Sequence, residues 1–188
     1  MTDLRYLRSN LVDGFSQEVV QKLHFAVVGC GAVGNEVVKN LTLLGVGKLD
    51  VCDFDTIEIH NLRRSVLFRE SDIGKKKAQV VADRAMELDP HVIVTPYAGD
   101  FWTEMTLDML KGYDAVISCV DNFEARIRLN RLCALFSKNL INTGIDSRNA
   151  SVEVYPLSRR THPACYQCNL PSGVYTEISK RYSCGWLR

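Results

Sequence analysis

The chain has 188 residues, enough for one domain with a short extension, and its 46% hydrophobic and 24% charged residues are those of an ordinary globular protein. A net charge of +1 excludes a global electrostatic pull toward nucleic acid or an anionic membrane. No apolar run approaches the roughly 20 residues of a membrane span, and the opening MTDLRYLRSN has no apolar signal core, so a cytoplasmic setting is expected. Residues 4–22 form a basic, partly amphipathic opening in which Ser16 is placed to cap a short helix. HFAVVG follows, an apolar run that ends at a glycine cluster and reads as a buried parallel strand. Val33, Val37, Leu41 and Leu44 then recur at helical spacing, with Gly45 as the stop. KLDVCDFD is a second strand ending in acids, followed by a loop over about residues 54–73. Ala78, Val81, Ala82, Ala85 and Leu88 share one face of the next helix, and Pro90 lies just beyond it. HVIVTPYAG is a third strand, FWTEMTLDMLKG a helix and YDAVISCV a fourth strand. Asp121-Asn122 opens a helix carrying a stripe of Leu129, Leu132, Cys133 and Phe136, and NLINTGI and ASVEVYP are further strands.

This alternation predicts an α/β fold, Rossmann-like and doubly wound, with a mainly parallel sheet and helices on both faces. The expected organisation is an N-terminal helical segment over residues 1–24, an α/β domain over 25–157 and a short Cys-containing tail over 158–188. In such sheets ligands bind at the carboxyl ends of the strands. Gly29, Asp53, Asp121 and Gly144 are all expected at or just past those ends. Cys30, Cys52, Cys119 and Cys133 sit inside apolar patterns and read as small buried hydrophobes, which favours a reducing compartment.

Gly29-Cys30-Gly31-Ala32-Val33-Gly34 matches G-x-G-x-x-G between a strand and a helix. Such glycines let a phosphate approach backbone N–H groups at the positive end of the helix. Asp53 ends the next strand, where a carboxylate can accept hydrogen bonds from a ribose hydroxyl. The fingerprint alone would suggest NAD. The loop after Asp53, however, gathers Asn61, Arg63, Arg64, Lys75, Lys76 and Lys77, more cations than a dinucleotide needs and suited to a triphosphate. Asp121, after the apolar strand AVISCV, would face phosphates with its own negative charge. Mg²⁺ between them resolves the repulsion, while the simpler alternative is that Asp121 caps the following helix.

RYLRSN, VVGCGAVG, DFDTIEIHNLRR, the IGKKKA helix start, ISCVDNFEAR and ACYQCNLP together resemble the ordered motifs of the ThiF/MoeB/HesA family, relatives of the ubiquitin-activating enzymes. The resemblance covers roughly residues 4–171. It implies an ATP- and Mg²⁺-dependent adenylyltransferase that activates the C-terminal glycine of a ubiquitin-like or sulfur-carrier protein. By the same likeness Gly29, Gly31, Gly34 and Asp53 hold the adenosine part of ATP. Asn61, Arg64 and Lys77 contact the phosphates, and Asp121 binds Mg²⁺. Arg8 resembles an arginine that reaches into a partner subunit's active site, implying a homodimer, and Arg126 supports the Asp121 loop. The chain departs from the family pattern at Arg8-Ser9, Arg64-Ser65 and Val120-Asp121-Asn122.

Cys165-x-x-Cys168 resembles half of the family's zinc site, and His162 and Cys184 are conceivable further ligands. Cys184 also falls where some relatives carry a cysteine that takes the acyl group. Two alternatives accompany the leading reading. One is activation of a carboxylate on a small molecule or a tRNA nucleoside, and the other is a non-catalytic subunit of a heterodimeric activating enzyme.

Overall fold

The computed structural model describes residues 4–159 and 163–171. They fall into two compact units, one ending at Glu104 and the other beginning at Met105.

The first unit is built on three parallel strands, β1 (His24–Val28), β2 (Lys48–Cys52) and β3 (Ile93–Tyr97), with β2 in the middle. His24 registers with Lys48, and Lys48 with Ile93. Ala26, Val27 and Val28 of β1 and Leu49, Val51 and Cys52 of β2 are all buried, a largely apolar pattern expected of strands covered on both faces and interrupted in β2 by buried Asp50. α1 (Gln17–Val20) is capped by Ser16, whose hydroxyl accepts from Val19 N–H. α2 (Ala32–Leu44) ends at Gly45 and α3 (Lys77–Leu88) begins with the last lysine of the run. The two long helices touch each other, α2 lies on β1, and α3 lies on β2 and β3.

The helix faces differ from the apolar spacing in an informative way. In α2 the buried residues are Gly34, Asn35, Val38 and Thr42, whereas Val33, Val37 and Leu41 are half-buried and Leu44 is exposed. Small and polar groups occupy the inward side because Asn35 has hydrogen-bonding work there, described below. In α3, Ala78, Val81, Ala82 and Ala85 are buried as predicted, and Leu88, on the last turn, is exposed.

The N-terminal segment is pinned to this unit by two residues of the opening motif. Tyr6 is buried and its hydroxyl donates to Asp89 Oδ2, while Arg5 Nη1 donates to the Leu88 carbonyl at 3.0 Å. Burial alone would raise the Asp89 carboxyl. The Tyr6 hydroxyl, His91 and Arg5 outweigh it and hold the group below its ordinary value.

The second unit carries β4 (Ala115–Ser118) parallel to β5 (Asn139–Ile145), and β6 (Ala150–Tyr155) antiparallel to β5. The sheet is therefore mainly parallel and the fold is α/β, as the alternation predicts. The helix predicted over FWTEMTLDMLKG is two short helices, α4 (Phe101–Glu104) and α5 (Leu107–Gly112). Thr106 breaks the run because its hydroxyl accepts from Met109 N–H and so starts a new helix. α6 (Phe123–Leu135) lies on β4 and β5 with Ile127, Leu129, Asn130 and Cys133 buried; Leu132 and Phe136 of the expected stripe are half-buried. Gly144 is inside β5, opposite Ser151, and not past its end. Among the described residues no helix is long and apolar enough to cross a membrane.

Candidate functional site

The first unit's candidate residues stand at the carboxyl ends of β1 and β2. Gly29 leaves β1 with φ +96°, a conformation open to glycine at little cost, and its N–H donates to the Cys52 carbonyl at 2.8 Å. Gly31 caps α2, and a methyl group added there would meet nothing within 4 Å. That clearance lies over a helix N-terminus, where backbone N–H groups and the helix dipole favour an anion.

Asp53 braces this turn. Its Oδ2 accepts from Cys30 N–H at 2.7 Å and its Oδ1 from Asp55 N–H at 2.8 Å. Burial raises the carboxyl, and the two backbone donors and the nearby Lys77 charge work against that rise. Each oxygen keeps a further lone pair, so the group can still accept from a hydroxyl. A second brace comes from Asn35. Its amide donates to the carbonyls of Cys30 at 2.8 Å and Gly31 at 3.1 Å, and its oxygen accepts from Leu67 N–H at 3.0 Å. Asn35 thereby ties the glycine turn to the loop that carries the cations.

That loop is anchored by buried Ile57, Leu67 and Phe68. Asn61 is buried, its side chain accepting from Glu58 N–H at 2.9 Å, and its carbonyl accepts from Arg64 N–H at 3.1 Å. Arg64 is exposed, and among the described residues its guanidinium has no partner. The three lysines part ways. Lys75 pairs with Asp72 at 2.9 Å, Lys76 donates to the Phe54 carbonyl at 2.8 Å, and Lys77, the buried one, meets Asp55 at 2.7 Å.

Arg8 lies elsewhere in this unit. Tyr6 meets Asp89 ahead of β3 and would touch a side chain at Gly45 ahead of β2, so the segment sits at the amino-terminal ends of the strands. This chain's own glycine turn is at the opposite ends. Arg8 is exposed, and its side chain forms no hydrogen bond or ion pair among the described residues.

In the second unit, β4 delivers Asp121. The helix-capping role belongs to its neighbour: Asn122 Oδ1 accepts from Ala125 N–H at 2.8 Å, so the exposed Asp121 carboxylate is not consumed as the cap. Arg126 fixes the approach, donating to the carbonyls of Val120 and Thr143 and to Asn142 Oδ1 at 2.7 Å. It binds three framework oxygens and braces the Asp121 loop, as expected.

Cys165 Sγ and Cys168 Sγ are 3.7 Å apart. Two sulfurs on one tetrahedral zinc, each at about 2.3 Å, lie roughly 3.8 Å from one another, so the pair has a metal's bite. Against burial, hydrogen bonds from the Asn130 amide and from Cys168 N–H hold the Cys165 thiol below its ordinary value. Burial pushes Cys52 and Cys133 up to about 12 and Cys119 to about 11, which keeps them protonated as hydrophobes. Among the described residues no group of three or more His, Cys, Asp or Glu side chains could hold a metal ion. His162 and Cys184 lie outside the described residues.

The ThiF family model matches residues 5–184. The chain belongs to the ThiF family. A Thermus thermophilus sulfur carrier protein adenylyltransferase is 34% identical to this ThiF chain over 157 residues, covering 82% of the chain and 58% of the relative. The molybdopterin-synthase adenylyltransferase of Salmonella typhimurium is 30% identical, covering 88% and 67%. SUMO-activating enzyme subunit 2 of Dictyostelium discoideum is 33% identical over 164 residues, covering 85% of the chain and 24% of the relative. The chain thus spans 58% of the Thermus protein's length and only 24% of the SUMO-activating subunit's. A crystal structure of E. coli MccB with AMPCPP and selenomethionine MccA shares the fold, with a TM-score of 0.70 at 24% identity over 89% of this chain and 51% of that one.

Three residues of this ThiF chain escape a motif-based reading. Asn35 left a signal, a polar residue on an inward helix position. Asp89 left only ELDP, with nothing to show that Tyr6 would reach it. Asp55 stood inside DFD, but its pairing with Lys77 depends on how the loop folds back.

Proposed function

We propose that the chain is an ATP- and Mg²⁺-dependent adenylyltransferase that activates the C-terminal glycine carboxylate of a ubiquitin-like or sulfur-carrier protein as an acyl-adenylate. The observation that carries this reading is the glycine turn braced by Asp53 and Asn35 directly to a loop bearing Arg64 and Lys77. A dinucleotide site needs the turn, whereas a triphosphate needs the cations as well. The printed functions of the Thermus and Salmonella relatives support the same substrate class.

The carrier's terminal carboxylate is ionised at neutral pH and needs no general base. One of its oxygens attacks the α-phosphorus in line, the bond to the β-phosphate oxygen breaks, and pyrophosphate leaves with the electron pair. The protein's contribution is positioning and charge neutralisation. The glycine turn and Asp53 hold the adenosine, and Asn61, Arg64 and Lys77 hold the phosphates. Asp121, an exposed carboxylate free of capping duty, suits a hard cation that takes one or two carboxylates together with phosphate oxygens. Bound Mg²⁺ supplies charge neutralisation at the phosphates. Arg8, remote from its own glycine turn, acts in the site of a second copy in a homodimer. Cys165 and Cys168 offer two thiolates toward a structural zinc.

Exchange of labelled pyrophosphate into ATP tests the reading, with candidate carriers ending in Gly-Gly as substrates. Asp121→Ala is expected to abolish Mg²⁺-dependent exchange with an unchanged circular dichroism spectrum. Full exchange in that variant removes the metal role from Asp121.

A further inference from the structure

Lys77, the buried cation of the loop after β2, has a carboxylate partner within its own chain. Its Nζ lies 2.7 Å from Asp55 Oδ2. The two side chains differ sharply in freedom: that of Lys77 is 10% exposed and that of Asp55 is 49% exposed. The backbone holds both in place. Lys77 N–H donates to the Asp55 carbonyl at 3.0 Å, Ile57 N–H donates to the Lys75 carbonyl at 2.9 Å, and Thr56 and Lys76 form an antiparallel bridge. Asp55 N–H is in turn held by Asp53 Oδ1 at 2.8 Å. The carboxylate is therefore presented to Lys77 by a small, fully bonded ladder and does not drift there from solvent.

We infer that Asp55 is a resting counter-ion for Lys77, which the phosphates of ATP displace. This deepens the ATP-binding reading above and rests on it. A buried ammonium without an opposite charge is costly, so the empty site needs a partner for Lys77. A triphosphate supplies that charge itself. Once it arrives, Asp55 is a second negative group competing for the same ammonium, and its exposure lets it turn into water at little cost. Lys75 and Lys76 do not take over, because each has its own anchor in Asp72 and the Phe54 carbonyl. Asp55 is thus a positioning residue with two effects. It keeps Lys77 aimed into the site while the site is empty, and it weakens ATP binding by the free energy of the pair that must be exchanged. When pyrophosphate departs, the pair re-forms and favours an emptied site.

The test is a double-mutant cycle on ATP affinity, measured calorimetrically on the intact chain with Mg²⁺ at low salt. Asp55→Asn keeps the shape of the side chain and removes the charge. It is expected to tighten ATP binding by roughly two- to fivefold, the upper part of the range for an exposed ion pair. In a Lys77→Met background, where there is nothing left to release, the same change is expected to leave affinity within twofold. Circular dichroism and an Asp55→Ser variant guard against misfolding in one construction. Weaker or unchanged binding in Asp55→Asn overturns the inference, because the carboxylate would then hold nucleotide or do nothing. Equal tightening in both backgrounds also overturns it, since plain removal of negative charge would suffice. If the wild type fails to bind ATP, the ATP reading itself falls and this inference with it, an outcome seen in the control and distinct from the others.

Discussion

Asn35→Ala should uncouple the glycine turn from the cation loop. The side chain is fully buried and makes three hydrogen bonds, to the carbonyls of Cys30 and Gly31 and from Leu67 N–H, at 2.8, 3.1 and 3.0 Å. A net worth of about 1 kcal/mol for each bond gives a loss of roughly 3 kcal/mol. Water that enters the gap would lower this, and carbonyls left unpaired would raise it. For a chain of this size such a loss corresponds to a fall in melting temperature of about 6–12 °C. Urea unfolding followed by tryptophan fluorescence and circular dichroism measures it, with calorimetry for the melting temperature. ATP affinity should drop in the same variant under conditions where it is still folded, because both the turn and the loop lose their mutual reference. A destabilisation below about 1 kcal/mol would refute the claim that Asn35 is the tie between them.

Gly31→Ala should separate stability from binding: its φ of −73° suits alanine and its methyl meets nothing within 4 Å, so unfolding should move by less than about 0.5 kcal/mol while ATP affinity falls, read by denaturation and calorimetry. The Lys75 hydrogen bond, working against burial, and the Arg69 N–H and the Lys75 and Arg84 charges hold the Asp72 carboxyl below its ordinary value. The folded state thus keeps Asp72 ionised more readily than the unfolded chain. Its stabilisation is present above the unfolded value near 4 and is lost as pH falls through the lower folded value, and Asp72→Asn should flatten that acid limb in unfolding curves taken between about pH 5 and pH 2. Arg8→Ala and Arg64→Ala proteins should each be inactive in pyrophosphate exchange yet regain activity when mixed, since a mixed dimer has one intact site. Verified mixed dimers without activity would count against an arginine acting in the second copy's site.

Much of the scaffold was legible because it is local and periodic. HFAVVG, KLDVCDFD, HVIVTPYAG and YDAVISCV each became a strand within a few residues of the expected bounds, and the Ala78–Ala85 face of α3 is buried. Apolar spacing failed at α2, where it picked out Val33, Val37, Leu41 and Leu44 while the buried side holds Gly34, Asn35, Val38 and Thr42. An apolar stripe marks the core only where the core asks for nothing but volume, and here it asks for hydrogen bonds to an irregular turn. The helix over FWTEMTLDMLKG failed for a different reason: Thr106 competes with the backbone for Met109 N–H, and the capped alternative won. Site residues were legible as chemical types, yet not as pairs. Nothing near Asp121 in the sequence says which residue caps the helix, and the structure gives that role to Asn122, which takes the Ala125 N–H.

The pairs explain why the glycine turn and the cation loop should not be treated as separate modules. Cys30 N–H binds Asp53, Asp53 binds Asp55 N–H, and Asp55 binds Lys77, so an unbroken line of hydrogen bonds runs from the glycine turn to the buried lysine. Charge placed at one end is felt at the other chiefly through half-buried Asp53, since Asp55 is exposed and better screened by water. Substitutions at Asp53 and Lys77 should then combine with a coupling term, and not as a simple sum, in ATP affinity. A strictly additive pair would mean that the line is geometry without energetic consequence, and that turn and loop meet the nucleotide independently.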